Sequence, residues 1–282
     1  MPLTKKLLIA IGCLGLSLST ANADDSPLKI CAAEDEMPYS NNKGEGFENQ
    51  LAQLVGAELK KKVSFVYWTD PRYYLRDTLD KGLCDLVIGV DTGDPRVATS
   101  LPYYRSGYVF ITRQNDKLAV NNWDSEALKK AQRIAFVPGS PAEVMLRAIG
   151  RYNDMFNYSQ ELVGYKSKRN QYVKYDTAKL VSEVSSGHAE VAALWGASAG
   201  RYVKASSTPL TMTVIPDTNS RADGEKVGHH YSTSMAVRKG NAALLAQLNQ
   251  VIKTKQPEIR HILEAEGIPL LDADNVALAV TH

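Results

Sequence analysis

The alternation of strand-like and helix-like segments is the feature that most constrains how this chain folds. "LKICAA" (28–33) and "CDLVIGV" (84–90) are short apolar runs, and "VSFVYW" (63–68) between them is rich in β-branched and aromatic residues. Asp70 and Pro71 mark the start of a helix that ends at Gly82. An earlier helical face is formed by Phe47, Leu51, Leu54, Val55 and Leu59. Strands separated by helices predict a parallel sheet with right-handed crossovers.

A second series of the same kind follows between residues 133 and 195. "RIAFV" (133–137) and "EVAALW" (190–195) predict strands, and "GSPAEVMLRAIG" (139–150) predicts a helix. Ser140 caps that helix in this interpretation, and Glu143 completes a capping box. The fold class is therefore α/β, with two lobes.

Extended segments at both ends of the second series predict two strands that cross between the lobes. These are "YVFITR" (108–113) and "STSMAVR" (232–238), and amphipathic helices follow the second one. We therefore expect a discontinuous lobe 1, residues 24–113 plus 234–282, with lobe 2, residues 114–233, inserted into it.

The first 23 residues have the layout of a secretory signal peptide. Lys5 and Lys6 precede an apolar run (7–18), and Ala21-Asn22-Ala23 is a small-residue cleavage site. The run is too short to span a membrane. A lipoprotein signal before Cys13 is the alternative, but it would leave only about five apolar residues, below the usual minimum of about seven. We expect a mature periplasmic chain that starts at Asp24.

Charge after cleavage excludes one class of partner. The chain has 33 basic and 31 acidic residues, and the signal removes two lysines, so 31 of each remain. A neutral chain has no overall field that attracts nucleic acid or anionic lipid. We expect no nucleic-acid partner.

Two cysteines remain after cleavage, Cys31 and Cys84. In an oxidising compartment they are candidates for a disulfide, and they are too few for a zinc site without other ligands. Their strands are expected to be neighbours about 4.8 Å apart, and a bridge needs Cα atoms within about 7 Å. We expect a Cys31–Cys84 disulfide, with two buried free thiols as the alternative.

The segment 152–175, "YNDMFNYSQELVGYKSKRNQYVKY", is rich in tyrosine and basic residues. It is long for an α/β connection, where about 2–6 residues is usual. It is either a surface excursion with a short helix of its own or a docking surface, since tyrosine and arginine are favoured at interfaces. The docking candidates are Tyr158, Tyr165, Lys166, Lys168 and Arg169.

Several sequence blocks, in this order, resemble a type II periplasmic solute-binding protein: "MPYSNNKGEGFENQLAQL", "DLVIGVDTGDPR", "LPYYRSGYVFI", "VPGSPAE", "GHAEVAALWG" and "MAVRKGN". Within them, "CAAEDEMPYSNNKGEGFENQLA", "CDLVIGV", "PYYRSGYVF" and "ALWG" resemble the MxaJ and XoxJ group, which accompanies quinoprotein methanol dehydrogenases. "NYSQELVGYKSKRNQY" is more similar to MxaJ. The resemblance covers essentially the whole mature chain. It implies two α/β lobes joined by two crossing strands, with a cleft at the carboxyl ends of the sheets.

The resemblance also implies which residues face that cleft. In amino-acid-binding relatives an arginine after the third strand holds the ligand carboxylate, and Arg96 stands there. Those relatives have a hydroxyl or backbone group where this chain has Asp91, which would repel a carboxylate. They use an aspartate for the amino group where this chain has Trp195, and an indole cannot accept that hydrogen bond. A free amino acid is therefore an unsuitable ligand.

Two further cleft candidates have ordinary structural alternatives. Tyr39 stands where relatives place an aromatic wall, but it also fits an exposed loop tyrosine. Ser140 opens a helix whose N–H groups suit an anion, but it also fits a plain helix cap. Asp35, Asp91 and Glu34 are the only candidates for acid–base chemistry, and no activated nucleophile accompanies them. His229 and His230 are adjacent and point to opposite faces of a strand, which disfavours a shared metal.

The resemblance implies a periplasmic accessory of the methanol oxidation system. Such a protein binds methanol dehydrogenase or assists its assembly, maturation or activity, and has no chemistry of its own. The dehydrogenase holds the quinone and the calcium, so this chain requires no cofactor and no metal. The alternative is a transporter's solute receptor, or a carrier, for a small apolar or aromatic ligand stacked between Tyr39 and Trp195.

Overall fold

The computed structural model describes residues 26–163, 173–221 and 223–272. The predicted signal peptide lies outside this part of the chain. Within the described ranges, no helix combines the length and the apolar character that crossing a membrane requires.

Strands and helices alternate along the chain. Up to residue 113 the elements are β1 (Leu28–Ala33), β2 (Asp35–Glu36), β3 (Ser40–Asn41), α1 (Phe47–Glu58), β4 (Val63–Trp68), a π-helical turn (Leu75–Leu79), β5 (Leu86–Asp91) and β6 (Ala98–Arg113). They continue with a 3₁₀ turn (Gln114–Asp116), α2 (Glu126–Lys130), β7 (Ile134–Phe136), α3 (Pro141–Ala148), α4 (Tyr152–Leu162), α5 (Thr177–Ser185), β8 (Val191–Trp195), α6 (Gly196–Lys204) and β9 (Leu210–Val214). The last are β10 (His230–Val237), α7 (Ala242–Thr254) and α8 (Gln256–Ala265).

The main strands form one sheet in the order β4-β1-β5-β10-β6-β8-β7, and β9 also pairs with β6. β1 is parallel to both β4 and β5, as the alternation of strands and helices predicts. β10 is antiparallel to β5 and β6 and closes the first lobe. The α/β fold of the type II binding-protein kind is confirmed.

β6 is the strand that connects the lobes. Its first part pairs with β10 up to Gly107, and residues 108–113 pair with β8 and β9. A Cβ atom on Gly107 would lie 2.7 Å from the ring of His230, so the change of partner requires a residue without a side chain. The pairings associate residues 108–113 with the second series. The lobe bounds 24–113, 114–233 and 234–282 stay a prediction.

Two local predictions were wrong. The helix expected between Pro71 and Gly82 is only a π-helical turn, in which Asp80 N–H donates to Leu75 O. The Leu79 carbonyl accepts from Gly82 N–H at 3.0 Å and from Arg238 at 3.2 Å, so its partners lie outside a regular α-helix. The capping box of α3 is also absent, because Glu143 accepts from the N–H of Gly139 at 2.8 Å and the Ser140 hydroxyl makes no cap bond.

Each lobe has its own hydrophobic core. In the first lobe, α1, α7 and α8 cover the sheet and bury Phe47, Leu51, Leu248 and Ile259 completely. In the second lobe, Trp123 and Phe136 pack on one side of β8, and Val181 and Val184 pack on the other. Two covered sheets therefore meet along β6 and β10.

Cys31 on β1 and Cys84 just before β5 lie on neighbouring strands. The structure joins them by a disulfide with Cα atoms 5.4 Å apart and a sequence separation of 53 residues. Both cysteines are buried beside Leu75 and Leu79. The bridge therefore joins β1 to the start of β5, and the π-helical turn packs against it.

We expect the double variant Cys31→Ala/Cys84→Ala to lose about 3 kcal/mol in its free energy of unfolding, because the bridge restricts a long loop of the unfolded chain. Urea unfolding measures this loss. The control is the mass of the protein after alkylation in denaturant without reductant. Two alkylated cysteines would contradict the bridge.

Candidate functional site

A cavity of about 400 Å³ lies in the cleft between the two lobes. Its lining combines aromatic rings with two carboxylates: Tyr39, Glu48, Gly89, Val90, Asp91, Tyr104, Tyr108, Trp195, Tyr231 and Thr233. Among these described lining residues there is no lysine, arginine or histidine. The cavity is thus aromatic and acidic.

Strand register brings the lining residues together. Thr233 on β10 pairs with Asp91 on β5 on one side and with Tyr104 on β6 on the other. Tyr108 pairs with Trp195 across β6 and β8. Because side chains two residues apart share a face of a strand, Tyr104 and Tyr108 face the same cleft. The crossing strands themselves form the cavity wall.

Three aromatic rings form a cluster at the second lobe's side of the cavity. The centroids of Tyr108 and Trp195 are 5.5 Å apart, those of Trp195 and Tyr231 are 5.9 Å apart, and those of Tyr108 and Tyr231 are 6.4 Å apart. Their planes are inclined at 56°, 67° and 73°. Mutually inclined rings present both faces and edges to the space beside them.

Glu48 lies at the start of α1, where the backbone N–H groups are already occupied. Glu48 N–H donates to Tyr39 O at 2.9 Å, and Phe47 N–H donates to Pro38 O at 3.0 Å. The carboxylate extends over β5, where a Cβ on Gly89 would lie 2.1 Å from Oε1. Gly89 therefore leaves the space that the carboxylate of Glu48 occupies.

The Glu48 carboxylate has no hydrogen-bond or ion-pair partner within the described ranges. Burial raises its pKa from 4.5 to about 7, and no cation contributes to that value. The N-terminus of α1 offsets part of the cost of an ionised carboxylate, since the helix dipole is positive there.

Asp91 is the second acid of the cavity, and Arg96 does not enter the cavity beside it. Arg96 pairs with Asp94 at 2.6 Å, and its side chain is 63% exposed. Burial and the neighbouring Asp94 raise the pKa of Asp91, and the more distant Arg96 lowers it. The guanidinium that amino-acid-binding relatives direct at a ligand is thus committed to a local carboxylate.

Close backbone packing fastens α6 of the second lobe to the C-terminal segment 266–271. A Cβ on Gly196 would lie 2.4 Å from Pro269, and one on Gly200 would lie 2.5 Å from Gly267 O. Arg201 donates to both carboxylate oxygens of Glu266 at 2.5 and 2.7 Å. We name this the α6 contact. Backbone therefore packs against backbone where the two lobes meet.

Individual hydrogen bonds and an ion pair also cross the mouth of the cleft on either side of the cavity. Arg201 also donates to Glu45 O at 3.0 Å, and Lys174 pairs with Asp35 at 3.0 Å. Tyr39 shares a hydrogen bond with Ser198 of α6, whose hydroxyl donates to Trp195 O at 2.8 Å. Tyr39 thus links the two lobes beside the cavity.

The structure divides the predicted cleft residues into two groups. Tyr39, Asp91 and Trp195 line the cavity. Arg96 and Ser140 are not among its lining residues, and the Ser140 hydroxyl is buried without a hydrogen-bond partner in the described chain. Ligand binding by any of these residues stays a prediction.

Tyr158 does not suit the docking role predicted for it. Its ring packs in the second lobe's core, and its hydroxyl donates to Glu183 at 2.5 Å. A side chain held in this way is not available to a partner. The other docking candidates, Tyr165, Lys166, Lys168 and Arg169, lie outside the described residues.

His229 and His230 serve the structure of the second lobe. His229 accepts from the indole N–H of Trp123 at 3.1 Å, and its other ring nitrogen lies 2.9 Å from Val227 O. Burial lowers the pKa of His229, which favours the neutral ring. In the described part of the chain, no group of three or more potential ligand residues is arranged to hold a metal.

Sequence reasoning missed seven cavity residues, namely Glu48, Gly89, Val90, Tyr104, Tyr108, Tyr231 and Thr233. The sequence did contain an indication for two of the tyrosines, because Tyr104 and Tyr108 lie four residues apart in a strand and so share a face. Nothing in the sequence indicated that Glu48 lines the cavity, since an acidic residue in the first turn of a helix is common. Only its position over Gly89 distinguishes it.

Fold and cavity together define a two-lobed binding protein, and comparison with known proteins identifies the class. Residues 28–264 match the model of the bacterial extracellular solute-binding proteins, family 3, so the chain belongs to that family. A curated relative, Protein MoxJ of Methylorubrum extorquens, is 43% identical over 256 residues, which are 90% of this chain and 85% of the relative.

Two solved structures confirm the resemblance to the MxaJ and XoxJ group. The crystal structure of MxaJ from Methlophaga aminisulfidivorans MPT matches with a TM-score of 0.82 and 48% identity, covering 86% of this chain and 100% of that one. The periplasmic binding protein XoxJ from Methylobacterium extorquens AM1 matches with a TM-score of 0.63 and 27% identity, covering 87% and 99%.

The raised pKa of Glu48 predicts how stability depends on pH. The unfolded chain loses this proton near pH 4.5 and the folded chain near pH 7, so between these values the folded state binds more protons. The free energy of unfolding therefore falls as the pH rises through this window. We expect Glu48→Gln to be more stable than wild type by about 2 kcal/mol at pH 8, with little difference near pH 5.

Urea unfolding at both pH values measures this difference. Glu143→Gln is the control with the opposite sign, because Gly139 N–H and Arg147 hold the pKa of Glu143 low despite its partial burial. Equal stability of Glu48→Gln and wild type at about pH 8 would show that the ionised Glu48 carboxylate does not lower the free energy of unfolding.

The α6 contact predicts a second stability difference. Glu266→Gln leaves Arg201 without its carboxylate partner, and we expect a loss of about 2 kcal/mol in the free energy of unfolding. Glu264→Gln is the matched control, because Glu264 forms an exposed pair with Arg260, which contributes less than about 1 kcal/mol. Thermal or urea unfolding compares the two variants. Equal losses of stability in the two variants would show that the Arg201–Glu266 pair contributes no more than an exposed ion pair.

Proposed function

We propose that this protein is a periplasmic accessory of a methanol oxidation system, and that it binds methanol dehydrogenase or assists its assembly, maturation or activity. One observation carries the proposal: the similarity to MxaJ extends over the whole of that chain at 48% identity. A match of that extent includes both lobes and the cleft, and is therefore more than a shared fold.

The cavity supports this proposal by its poor fit to an amino acid. A ligand carboxylate would face Glu48 and Asp91, and the lining offers no basic side chain to neutralise it. Trp195 stands where an amino-group acceptor is needed, and indole donates but does not accept. Desolvating a carboxylate without a partner costs several kcal/mol.

The α6 contact supports a docking role. A receptor that captures its ligand by hinge closure needs lobes that separate. Here Gly200 packs directly against Gly267, and Arg201 joins Glu266 across the lobes. A shell held closed presents one defined surface, which suits recognition by another protein.

We place the docking surface at the segment that follows α4. Its sequence combines Tyr165 with Lys166, Lys168 and Arg169, residue types that suit an acidic partner surface. Lys174, at the far end of the segment, already pairs with Asp35 at the mouth of the cleft. A partner that contacts Lys174 would lie beside the cleft.

The first test is size-exclusion chromatography of the mature protein with purified methanol dehydrogenase, at low and at moderate salt. We expect co-elution at low salt that weakens as salt screens the charges. We expect Lys168→Glu/Arg169→Glu to abolish it, because reversed charges repel an acidic surface.

The matched control reverses two other exposed charges. Lys60 and Lys62 lie beside the amino end of β4, opposite the edge of the sheet that carries the cleft. Lys60→Glu/Lys62→Glu should co-elute like wild type. Separate elution at both salt concentrations would contradict the proposed association. Equal loss in both variants would contradict only the docking segment.

A further inference from the structure

We propose that the cleft is a binding site for a small organic cation that carries no carboxylate, such as an alkylammonium ion. Glu48 and Asp91 supply the negative charge, and the rings of Tyr108, Trp195 and Tyr231 supply the contact surface. This site is independent of the docking segment and of any protein partner. It replaces the apolar or aromatic ligand that the sequence alone suggested.

The charge of the lining selects the sign of the ligand. Two carboxylates reach the cavity, and none of its described lining residues is basic. The nearest guanidinium, Arg96, is bound to Asp94 and directed to solvent. A ligand cation would neutralise Glu48 and Asp91, whereas an anion would add a third negative charge. An isolated buried carboxylate is costly unless it is paired, so the protein carries a cost that a bound cation removes.

The aromatic rings select the kind of cation. A cation within about 6 Å of a ring centroid is attracted by the ring face, and tryptophan is the strongest such partner. Trp195 and Tyr231 have centroids 5.9 Å apart with planes inclined at 67°, so a cation beside one ring also lies near the other. A bare metal ion requires a full set of oxygen ligands, which two carboxylates do not provide. An alkylated nitrogen needs apolar contact instead, and the rings offer it.

The size of the cavity limits the ligand. About 400 Å³ lies at the lower end of the range for small-molecule sites, about 300–1,000 Å³. The α6 contact joins the lobes beside this space, so a ligand must fit the cavity in the form that the structure shows. A nitrogen with a few methyl or hydroxyethyl groups fits this space.

Binding should depend on pH through Glu48, whose surroundings are largely uncharged. The groups that interact electrostatically with Glu48 are four phenols, all with raised pKa values: Tyr39, Tyr74, Tyr103 and Tyr104. Asp91 and the Asp94–Arg96 pair are the charged groups on the same side of the cleft. Since Glu48 ionises near pH 7, affinity for a cation should rise between about pH 6 and about pH 8.

The test is calorimetric titration of the mature protein with choline, which serves as a quaternary ammonium probe, in a buffer without amines. The comparison ligand is 3,3-dimethyl-1-butanol, which has the same shape without the charge, and sodium chloride controls for ionic strength. We expect choline to bind at least tenfold more tightly than the alcohol. We expect that advantage to increase with pH. Tetramethylammonium and methylammonium extend the series to other cations.

Variants separate the two parts of the site. Glu48→Gln keeps the shape and removes the charge, and we expect at least tenfold weaker choline binding with no remaining pH dependence. Trp195→Leu should weaken the binding of all three cations to a similar extent. Glu143→Gln, a carboxylate outside the cavity, should bind choline like wild type, and circular dichroism verifies that each variant is folded.

Three results would overturn the proposal. The first is equal or tighter binding of the neutral alcohol, which would make the site simply apolar. The second is unchanged choline binding in Glu48→Gln, which would place the ligand elsewhere. The third is no binding of any of the three cations at about 1 mM, a weak-affinity limit. None of these results changes the co-elution with methanol dehydrogenase, so this inference and the proposed function fail separately.

Discussion

The close approach of α6 to the C-terminal segment is the constraint on which the rest of the structure depends. Gly196 and Gly200 allow backbone to pack on backbone there, and Arg201 closes the contact on Glu266. Trp195 immediately precedes this helix, so the same contact that joins the lobes places the indole in the cleft. A bulkier residue at either glycine would separate the lobes and move the ring. The cavity is thus a consequence of how the lobes meet.

The crossing strands give that cavity its chemistry. β6 changes partners at Gly107, and the register on either side places Tyr104 beside Thr233 and Tyr108 beside Trp195. Polar and aromatic side chains therefore meet at one face of a strand that belongs to both lobes. In the first lobe, Gly89 leaves room for Glu48, which brings a carboxylate to the same space without a cationic neighbour. The site has the form of a binding-protein cleft with the charge preference of a cation site.

A docking role and a ligand site are compatible in this fold. A shell whose lobes are fastened together can present a constant surface to a protein, and still hold a small ion in a cavity that needs no closure. Recognition of a protein uses the outer surface, and recognition of a cation uses the two carboxylates that line the cavity. The two functions rest on different residues, and the ion pair between Asp35 and Lys174 joins the segment that carries Tyr39 to the end of the docking segment.

The sequence by itself determined the elements that depend on local pattern. Apolar periodicity located β1, α1, β4 and β5, and the blocks between residues 37 and 241 identified the family. The resemblance to the binding-protein family also placed Tyr39, Asp91 and Trp195 at the cleft, where all three line the cavity. The tertiary structure alone decided the π-helical turn at Leu75–Leu79, beside which Arg238 donates to the Leu79 carbonyl. It alone decided the pairing of Arg96 with Asp94 and the environment of Glu48. These depend on groups distant in sequence, and charge and desolvation act through space, which a local pattern does not record.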